Sequence, residues 1–538
     1  MSEPVSPVVR IRDLTIALPK GADRPYAVEG LNLDLEAGKI LCVVGESGSG
    51  KSMSAYALTG LLPRSLKPTA GTITFEGRDL LGLGEAEWRD LRGRRVAMIF
   101  QEPMTALNPV MRIGDQIAEM YEAHDLFTRA ERREKVVALA TEVGLPNPRE
   151  IVRAYPHQLS GGQRQRAMIA MALALEPSVL VADEPTTALD VTTQAQILKL
   201  IRELQRRRGM SVMFITHDFG VVADIADQVA VLQRGKLVEF GPAAEVLHNP
   251  QAPYTKKLLA AVPTLNPPKR EPLDGAPVAL SVSGLKKTYL TKAGWFGPPR
   301  IVNAANAVTF DIRRGETLGL VGESGSGKST TARLAIRLIE PDGGTIRVGD
   351  LDYSALKPAQ LREERRRIQM IFQDPFASLN PRRTVGQIIT AGPIAHGVPR
   401  KQARAKAEEL LALVGLDPRA YDRYPNAFSG GQRQRVGIAR ALAMEPDVLV
   451  ADEAVSALDV SVQAQVLDLL EDLKKRLSLA MLFITHDLRV AATICDRIAV
   501  MHRGQVVEMR PTAELFAAPA HDYTRNLLAA VPGAQAAE

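Results

Sequence analysis

The chain has 538 residues, of which 46% are hydrophobic and 24% are charged. That length predicts two to four domains of about 100–250 residues, and the composition excludes a wholly disordered or fibrous protein. The 67 basic and 61 acidic residues leave a charge of +6, too weak an excess over this length to indicate nucleic-acid binding. Two cysteines, Cys42 and Cys495, exclude a disulfide framework or a cysteine-rich metal module and fit a reducing cytoplasm.

Neither a membrane span nor a secretory signal is expected. No apolar run in the sequence approaches the ~18–20 residues that a membrane helix needs. The opening MSEPVSPVVRIRDL lacks a cationic segment followed by an apolar core. If the protein works at a membrane, we expect other chains to carry the span.

Within each half of the chain, the predicted elements run strand, loop, helix. Apolar LCVV and LGLV enter a Gly-rich turn, which helix-favouring residues 53–62 and 330–339 follow. Later runs, VLVAD and those before ITHD, are apolar enough for strands buried on both faces. Helical inserts are expected at 130–143 and 401–414, and short strands open the halves near Val8 and Val278. This alternation predicts an α/β fold around a mostly parallel sheet.

The two halves are tandem copies of one domain. GESGSGKS recurs 277 residues later, whereas SGGQRQR, ITHD and LLAAVP each recur 269 residues later. A period this long excludes a solenoid. We predict a first domain at residues 1–263, a semi-rigid proline-rich linker at 264–277, and a second domain at 278–538.

GESGSGKS fits the phosphate-binding pattern G-x-x-x-x-G-K-[ST] in both copies. Its glycines let backbone N–H groups surround phosphate oxygens, and the following helix N-terminus adds a positive dipole. The lysine reaches the β- and γ-phosphates, and the last serine offers a hydroxyl to Mg²⁺. The predicted nucleotide-binding residues are Gly45, Glu46, Ser47, Gly48, Ser49, Gly50, Lys51, Ser52, Gly322, Glu323, Ser324, Gly325, Ser326, Gly327, Lys328 and Ser329.

Polar residues follow other apolar strands in both copies. Each predicted metal-holding aspartate is followed by a glutamate that is placed to polarise an attacking water. An acidic strand-end turn explains one such pair in isolation, but not two copies at 132 and 124 residues after the loop lysine. A glutamine and a histidine also recur at strand ends. These residues are Asp183, Glu184, Gln101 and His217 in the first copy, and Asp452, Glu453, Gln373 and His486 in the second.

The pentapeptides LSGGQ and FSGGQ precede long predicted helices. Their serine and glycines present a hydroxyl and backbone N–H groups to anion oxygens. A helix N-cap containing glycine is the plainer alternative, yet it does not explain why the motif recurs with a phosphate-binding loop. The residues concerned are Ser160, Gly161, Gly162 and Gln163, and Ser429, Gly430, Gly431 and Gln432.

Together these motifs resemble the ATP-binding cassette (ABC) ATPases over essentially the whole chain. The resemblance assigns the Walker A, Q-loop, signature, Walker B and switch-histidine motifs to the residues above, and the D-loop to Asp190 and Asp459. It implies catalytic roles for Glu184, Glu453, His217, His486, Gln101 and Gln373. It implies Mg²⁺ contacts from Ser52, Gln101, Asp183, Ser329, Gln373 and Asp452. It also implies that the two cassettes pair within one chain, with Lys51 facing Ser429 and Lys328 facing Ser160.

A finer resemblance is to the oligopeptide/dipeptide importer branch. FQEPMTALNP and FQDPFASLNP resemble its Q-loop region, and HNPQAPYTKKLLAAVP and AAPAHDYTRNLLAAVP resemble its C-terminal extensions, here about 241–263 and 510–535. The fused arrangement resembles single-chain ATPases of bacterial importers for peptides, including microcin-type peptides and glutathione. This implies two separate membrane permeases, a periplasmic binding protein reached through them, and a peripheral location on the cytoplasmic side of the inner membrane.

Departures from the family pattern leave the catalytic groups in place. The second copy reads DEAVSALD and FSGGQ where the family prefers DEPTSALD and LSGGQ, so both sites are expected to hydrolyse ATP. Tyr289 is the expected adenine-stacking residue of the second copy. The aligned residue of the first is Leu18, with Tyr26 displaced. Some relatives hold an iron–sulfur cluster in the extension, which the lack of cysteine there excludes.

Other functions are weighed against peptide import. A two-cassette ATPase acting on ribosomes or nucleic acid is disfavoured, because the linker is short and zinc cysteines and long coiled coils are lacking. Only the basic stretches 89–95 and 362–367 favour it; we expect these to cover a helix face and expect no nucleic-acid partner. An exporter ATPase is disfavoured because no membrane domain is fused. An importer ATPase for another small solute, such as nickel, stays open.

Overall fold

A computed structural model describes residues 7–187, 189–271, 273–291, 300–374, 377–456 and 458–533. The outer ends of the two predicted domains, Pro272 of the linker, and Pro375 and Phe376 of the second Q-loop motif lie outside these ranges. The chain divides into two compact units, with the boundary between Val262 and Pro263. Each unit is described in turn.

The first unit begins with strands and ends with two short helices. Its strands are β1 (Pro7–Ala17), β2 (Tyr26–Glu36), β3 (Ile40–Val44), β4 (Pro68–Phe75), β5 (Arg78–Asp79), β6 (Val96–Ile99), β7 (Val179–Asp183), β8 (Ser211–Ile215), β9 (Gln228–Gln233) and β10 (Lys236–Pro242). Its helices are α1 (Lys51–Thr59), α2 (Glu85–Leu91), α3 (Pro103–Ala106), α4 (Ile113–Glu122), α5 (Arg129–Glu142), α6 (Pro148–Ile151), α7 (Gly161–Leu173), α8 (Val191–Arg208), α9 (Phe219–Ile225), α10 (Ala243–His248) and α11 (Pro253–Ala260).

The second unit repeats the order of the strands and of the longer helices. Its strands are β11 (Val278–Thr291), β12 (Arg300–Arg313), β13 (Thr317–Val321), β14 (Gly343–Val348), β15 (Leu351–Asp352), β16 (Ile368–Ile371), β17 (Val448–Asp452), β18 (Ala480–Ile484), β19 (Arg497–His502) and β20 (Gln505–Pro511). Its helices are α12 (Lys328–Ala335), α13 (Pro358–Glu364), α14 (Val385–Ala395), α15 (Arg400–Leu413), α16 (Gly430–Leu442), α17 (Val460–Leu477), α18 (Leu488–Ile494), α19 (Thr512–Ala517) and α20 (Asp522–Ala529).

Each unit contains two sheets. The larger sheet of the first unit has the order β10-β9-β3-β8-β7-β6, and all its pairings are parallel except that of β9 with β10. The second unit has the matching order β16-β17-β18-β13-β19-β20. The predicted α/β class with a mostly parallel sheet is therefore confirmed.

The opening strands differ from the expectation of short strands. β1 and β2 have 11 residues each and form a separate antiparallel sheet with β4 and β5. Buried and more exposed residues alternate along both strands, as in a sheet with one face against the core. That alternation was visible in VVRIRDLTIA and separates this sheet from the continuous apolar runs of the larger one.

The larger sheet is buried on both faces, as predicted. All five residues of β3, β7 and β8 are buried in the first unit, as are those of β13, β17 and β18 in the second. In the first unit one apolar cluster joins the sheet to helices α4, α5, α7 and α8, and another joins it to the antiparallel sheet and α1. Because helices and a second sheet cover its two faces, the functional loops emerge only at the strand ends.

The predicted helical inserts are present as α5 and α15, each shifted by one residue from the predicted bounds. Thr128 caps α5 and accepts a hydrogen bond from the backbone N–H of Glu131, which supplies a helix start signal. Within the described ranges, no helix combines the length and hydropathy that crossing a bilayer requires.

The two basic stretches are engaged within their own units. Arg92 donates to the carbonyl oxygen of Gly60 at 2.7 Å, and Arg95 pairs with Glu76. Arg367 pairs with Asp447 at 2.8 Å. These contacts tie the residues before β6 and β16 to neighbouring elements of the same unit.

The interdomain linker is anchored to the second unit through Arg270. Its guanidinium donates to Glu471 Oε1 at 3.0 Å, to Asp496 Oδ1 at 3.2 Å and to the carbonyl oxygen of Thr493 at 2.7 Å. Its side chain is 17% exposed. Thr493 lies near the end of α18, so the linker holds this helix.

In the first unit, the corresponding contact is made by an arginine of the unit's own helix. Arg202 of α8 donates to the carbonyl oxygen of Asp224, near the end of α9. Arg202 and Asp224 precede Glu471 and Thr493 by the repeat offset of 269 residues. Thus a glutamate stands where the first unit has the arginine, and the linker supplies the guanidinium instead.

We expect the R270A variant to lower the stability of the second unit by about 2 kcal/mol, because two half-buried carboxylates lose a partner while Lys474 still neutralises them. The readout is amide hydrogen exchange along α18 in the full chain. R202A is the matched control, which should accelerate exchange in α9 instead. Unchanged exchange in α18 of R270A would contradict the anchoring role.

Candidate functional site

The phosphate-binding loops lie between the first strand of each parallel sheet core and the helix that follows. Gly50 and Gly327 adopt positive φ values of 101° and 105° and form the N-caps of α1 and α12. The helices therefore start at Lys51 and Lys328, two residues before the predicted starts. This places the first backbone N–H groups of each helix at the loop, which suits an anion.

Both loop lysines are buried and held by their own loops. Lys51 Nζ donates to the carbonyl oxygens of Gly45 at 2.7 Å and Glu46 at 2.9 Å. Lys328 Nζ donates to Gly322 at 2.7 Å and Glu323 at 2.8 Å. The ammonium groups thus lie inside the curve of the loop, and carbonyl contacts of this kind are readily exchanged for more strongly charged phosphate oxygens.

A serine and an aspartate meet beside each lysine. Ser52 Oγ donates to Asp183 Oδ1 at 3.1 Å, and Ser329 Oγ donates to Asp452 Oδ1 at 3.1 Å. Asp183 is 1% exposed, and its Oδ2 is buried with no hydrogen-bond partner among the described residues. Burial raises the pKa of Asp183 to about 6 and also raises that of Asp452.

Hydroxyl and carboxylate oxygens are the donors that Mg²⁺ prefers, and a buried carboxylate oxygen without a partner is costly unless a cation or donor joins it. The pair at each site therefore fits the predicted ion.

The glutamates after β7 and β17 gather the other predicted catalytic residues. Glu184 Oε1 lies 3.2 Å from His217 Nδ1, and Glu184 Oε2 accepts a hydrogen bond from Gln101 Nε2 at 3.0 Å. In the second unit the distances are 3.4 Å from Glu453 to His486 and 2.7 Å to Gln373. Strands β6, β7 and β8 end at one edge of the sheet, which is why residues far apart in sequence meet there.

The two carboxylates lie at unusual backbone positions, and their polar neighbours keep them ionised. Glu184 and Glu453 adopt positive φ values of 45° and 47°, an uncommon conformation that is concentrated at functional sites. Burial alone would raise the pKa of Glu184, but the contact with His217 outweighs it and lowers that pKa to about 2. The pKa of His217 is correspondingly raised, against the effect of burial.

The two sites differ in one neighbour of the glutamate. Thr187 Oγ1 donates to the Glu184 carboxylate at 3.0 Å, whereas Ser456 Oγ donates to the backbone carbonyl of Glu453 at 3.0 Å. Thr187 and Ser456 occupy equivalent positions of DEPTTALD and DEAVSALD. The donor to the carboxylate thus comes from Thr187, which stands where the family pattern and the second copy have serine, and both copies keep every charged group.

The signature residues form helix N-termini of their own. Ser160 caps α7 and accepts from the backbone N–H of Gln163 at 3.3 Å, while the Gln163 side chain accepts from the Ser160 N–H at 3.0 Å. Ser429 and Gln432 repeat this capping box at α16. Both glycines of each motif lie in the first turn. Each signature motif is thus a helix N-cap, as the plainer alternative proposed. This does not exclude anion binding, because the N-terminus of such a helix is suited to an anion.

The predicted D-loop and adenine-contact residues lie outside the clusters described above. Asp190 caps α8 and accepts from the backbone N–H of Thr193 at 2.9 Å, and Asp459 is the N-cap residue of α17. Tyr289 is on β11 and 36% exposed, with Lys287 Nζ 5.9 Å from its ring centroid. In the first unit, Leu18 follows β1 and Tyr26 begins β2. The adenine contact of either copy stays a prediction.

Two tyrosines at the sites were missed by the sequence reasoning. Tyr254 and Tyr523, from the Tyr-Thr pair of each extension, place their hydroxyl oxygens on the backbone N–H groups of Glu46 and Glu323. The recurrence of Tyr-Thr in both halves was the available signal. Its meaning depends on a contact across 208 and 200 residues of sequence, which periodicity does not reveal.

Two family models match the chain. One, described as "ABC transporter", matches residues 28–187 and 305–456. The other, described as "Oligopeptide/dipeptide transporter, C-terminal region", matches residues 238–285 and 507–538. Together they cover the Walker A, Q-loop, signature and Walker B residues of both copies and both predicted extensions, whereas the D-loop aspartates and switch histidines lie outside the matched ranges.

Two proteins that match nearly the whole chain agree with these models. The "Glutathione import ATP-binding protein GsiA" of Shigella boydii serotype 4 (strain Sb227) is 47% identical over 98% of this chain and 90% of its own length. The protein of the same name from Escherichia coli (strain K12) is also 47% identical, with the same coverage. A solved dimeric ATP-binding cassette, in a post-hydrolysis state bound to ADP and Pi, is 30% identical, with a TM-score of 0.39 over 43% of this chain and 98% of that one. The chain therefore belongs to the ABC transporter family, in its oligopeptide/dipeptide branch, and is an ATPase that powers import.

Proposed function

We propose that the chain hydrolyses ATP at two sites and thereby drives the uptake of small peptides through separate membrane permeases. The observation that supports this most directly is the cluster of Gln101, Glu184 and His217 beside the Walker A lysine, repeated in the second cassette. The two proposed cassettes are residues 1–263 and 278–538, joined by the linker at 264–277.

At each site, different residues of the chain bind the phosphates and orient the attacking water. The loop N–H groups and Lys51 or Lys328 bind and orient the phosphates. Glu184 or Glu453 orients a water for in-line attack on the γ-phosphate, with His217 or His486 and Gln101 or Gln373 holding that carboxylate in place. Because the contacts with His217 and His486 lower the pKa of Glu184 and Glu453, both carboxylates are ionised and can accept a hydrogen bond from the attacking water.

The metal contacts are proposed for the oxygen donors described above. Ser52 and Asp183, with Gln101, would hold Mg²⁺ in the first cassette, and Ser329, Asp452 and Gln373 in the second. When bound, Mg²⁺ offsets the negative charge of the phosphate oxygens.

Pairing of the cassettes is carried over from the family resemblance. In that pairing the helix N-termini at Ser160 and Ser429 would each supply N–H groups to the phosphates of the other cassette's nucleotide. Both cassettes keep every charged group, so we propose that both sites turn over.

The cargo is proposed from the relatives. Two proteins that are 47% identical are named for glutathione import, so a tripeptide of this kind is the first cargo to test. The proposed assembly adds two permeases and a periplasmic binding protein, with this chain on the cytoplasmic face of a bacterial inner membrane.

A reconstituted complex tests this function. We expect the tagged chain to co-purify with two multi-span permeases, and its ATP hydrolysis in lipid nanodiscs to rise when the binding protein is loaded with glutathione or another short peptide. A nickel-loaded binding protein and an unloaded one are the controls. Co-purification with ribosomal RNA in place of permeases, or stimulation by nickel alone, would contradict peptide import.

A further inference from the structure

Each C-terminal extension reaches the nucleotide-binding loop of its own cassette through one tyrosine hydroxyl. Tyr254 Oη accepts a hydrogen bond from the backbone N–H of Glu46 at 3.4 Å. Tyr523 Oη accepts from the N–H of Glu323 at 3.1 Å. The same contact thus occurs twice, at equivalent positions of sequences that differ around it.

The peptide group that the tyrosine contacts is also the one that holds the lysine. The N–H of Glu46 and the carbonyl of Gly45 belong to one peptide, and that carbonyl accepts from Lys51 Nζ at 2.7 Å. In the second cassette the peptide of Gly322 and Glu323 lies between Tyr523 and Lys328 in the same way. A hydrogen-bonded chain therefore runs from hydroxyl to peptide to ammonium, and each bond in such a chain polarises the next.

The tyrosine is placed accurately because its helix is pinned at the start. In the first cassette, Glu239 of β10 accepts from the backbone N–H groups of Gln251 at 2.6 Å and Ala252 at 3.2 Å, directly before α11. Burial alone would raise the pKa of Glu239, but the polar groups around it, among them these two backbone N–H groups, lower it overall, so the carboxylate is ionised and accepts the two bonds strongly.

The second cassette repeats the pin and adds a ring contact. Glu508 of β20 accepts from the N–H groups of Ala520 at 2.8 Å and His521 at 3.0 Å. The Tyr523 ring stacks on His502 with centroids 4.1 Å apart and an angle of 17° between the planes. The hydroxyl is therefore held at the loop by contacts that do not involve the loop.

We propose that Tyr254 and Tyr523 are positioning residues for nucleotide binding, whose hydroxyls orient the peptide that sets the place of the Walker A lysine. Each extension thereby helps to determine the ATP affinity of its own cassette. The inference rests on the proposed ATP sites and deepens them.

The test uses the full chain with the E184Q and E453Q substitutions, so that ATP is bound without turnover. Adding Y254F and Y523F removes two hydroxyls and keeps both rings. We expect the Kd for ATP to rise about three- to tenfold, which corresponds to one lost hydrogen bond at each site. The Tm without nucleotide should stay within about 2 °C, because the rings and the glutamate pins are retained.

Controls separate the alternatives. Y155F and Y424F remove hydroxyls at another repeated pair of tyrosines and should leave the Kd unchanged. The single Y523F variant should give a binding curve with one weakened and one unaltered site. If the Kd for ATP were unchanged in Y254F/Y523F and raised only in Y254A/Y523A, the rings and not the hydroxyls would matter for ATP binding, and the inference would be overturned. A parent chain that fails to bind ATP would instead count against the proposed function.

Discussion

The E184Q/E453Q double variant is expected to hydrolyse ATP at least about 100-fold more slowly than the parent chain, while its affinity for ATP stays within a small factor. Glutamine keeps the size of the side chain and one oxygen acceptor but loses the negative charge that orients the attacking water. It also removes the charge that holds His217 and His486 beside the carboxylates. The measurements are steady-state phosphate release and equilibrium ATP binding on the same preparation.

A matched pair of exposed glutamates serves as the control. Glu176 and Glu445 are equivalent in the repeat, are exposed and follow α7 and α16 at their C-terminal ends, so E176Q/E445Q should hydrolyse ATP at the parent rate. The single variants E184Q and E453Q report on coupling: independent sites leave about half the activity, whereas coupled sites lose nearly all of it. Retained hydrolysis in the double variant would sink the assignment of the water-orienting residue.

The G50A variant is expected to destabilise the first cassette by roughly 3 kcal/mol and to weaken ATP binding by about 100-fold. Gly50 has a φ of 101°, and a Cβ there would lie 2.6 Å from the carbonyl oxygen of Ala27 on β2. Strain and overlap add at this position, and both displace the N–H groups at the start of α1. Chemical denaturation and ATP titration measure the two effects.

Gly77 separates the conformational cost from the overlap. Its φ is 82°, and nothing lies within 4 Å of where its Cβ would be. G77A should therefore cost only the left-handed conformation, about 1–2 kcal/mol, with ATP affinity unchanged. Equal losses of stability in G50A and G77A would mean that the contact with Ala27 contributes nothing.

The repeat made much of the fold and site predictable. A lone Asp-Glu pair or strand-end glutamine is ambiguous, but the structure brings Gln101, Glu184 and His217 together because each follows a strand of one parallel sheet. The order of the strands along the chain does not determine their order in the sheet. The hydrogen-bond partners of Glu184 therefore could not be predicted from the sequence.

Local signals also misplaced one feature and gave no sign of another. The helix after each loop was predicted to start at 53 and 330, since Gly50 and Gly327 read as loop residues; their left-handed backbone instead caps the helix at once. The linker was predicted only as a proline-rich spacer, because nothing near Arg270 in the sequence indicates that its side chain is anchored. Its partners Glu471 and Asp496 are 201 and 226 residues further on.

The border of the folded second cassette therefore does not coincide with the border of the repeated sequence. A gene split at residue 278 would leave Arg270 on the first polypeptide and deprive the second of the guanidinium that neutralises Glu471 and Asp496. Because Glu471 stands where the first cassette has Arg202, the two cassettes differ in what they need outside their own repeat. The first cassette carries this arginine on its own helix, and the second takes its arginine from the linker. We therefore expect the second cassette, expressed on its own, to be more stable when residues 264–277 are included than when it begins at residue 278.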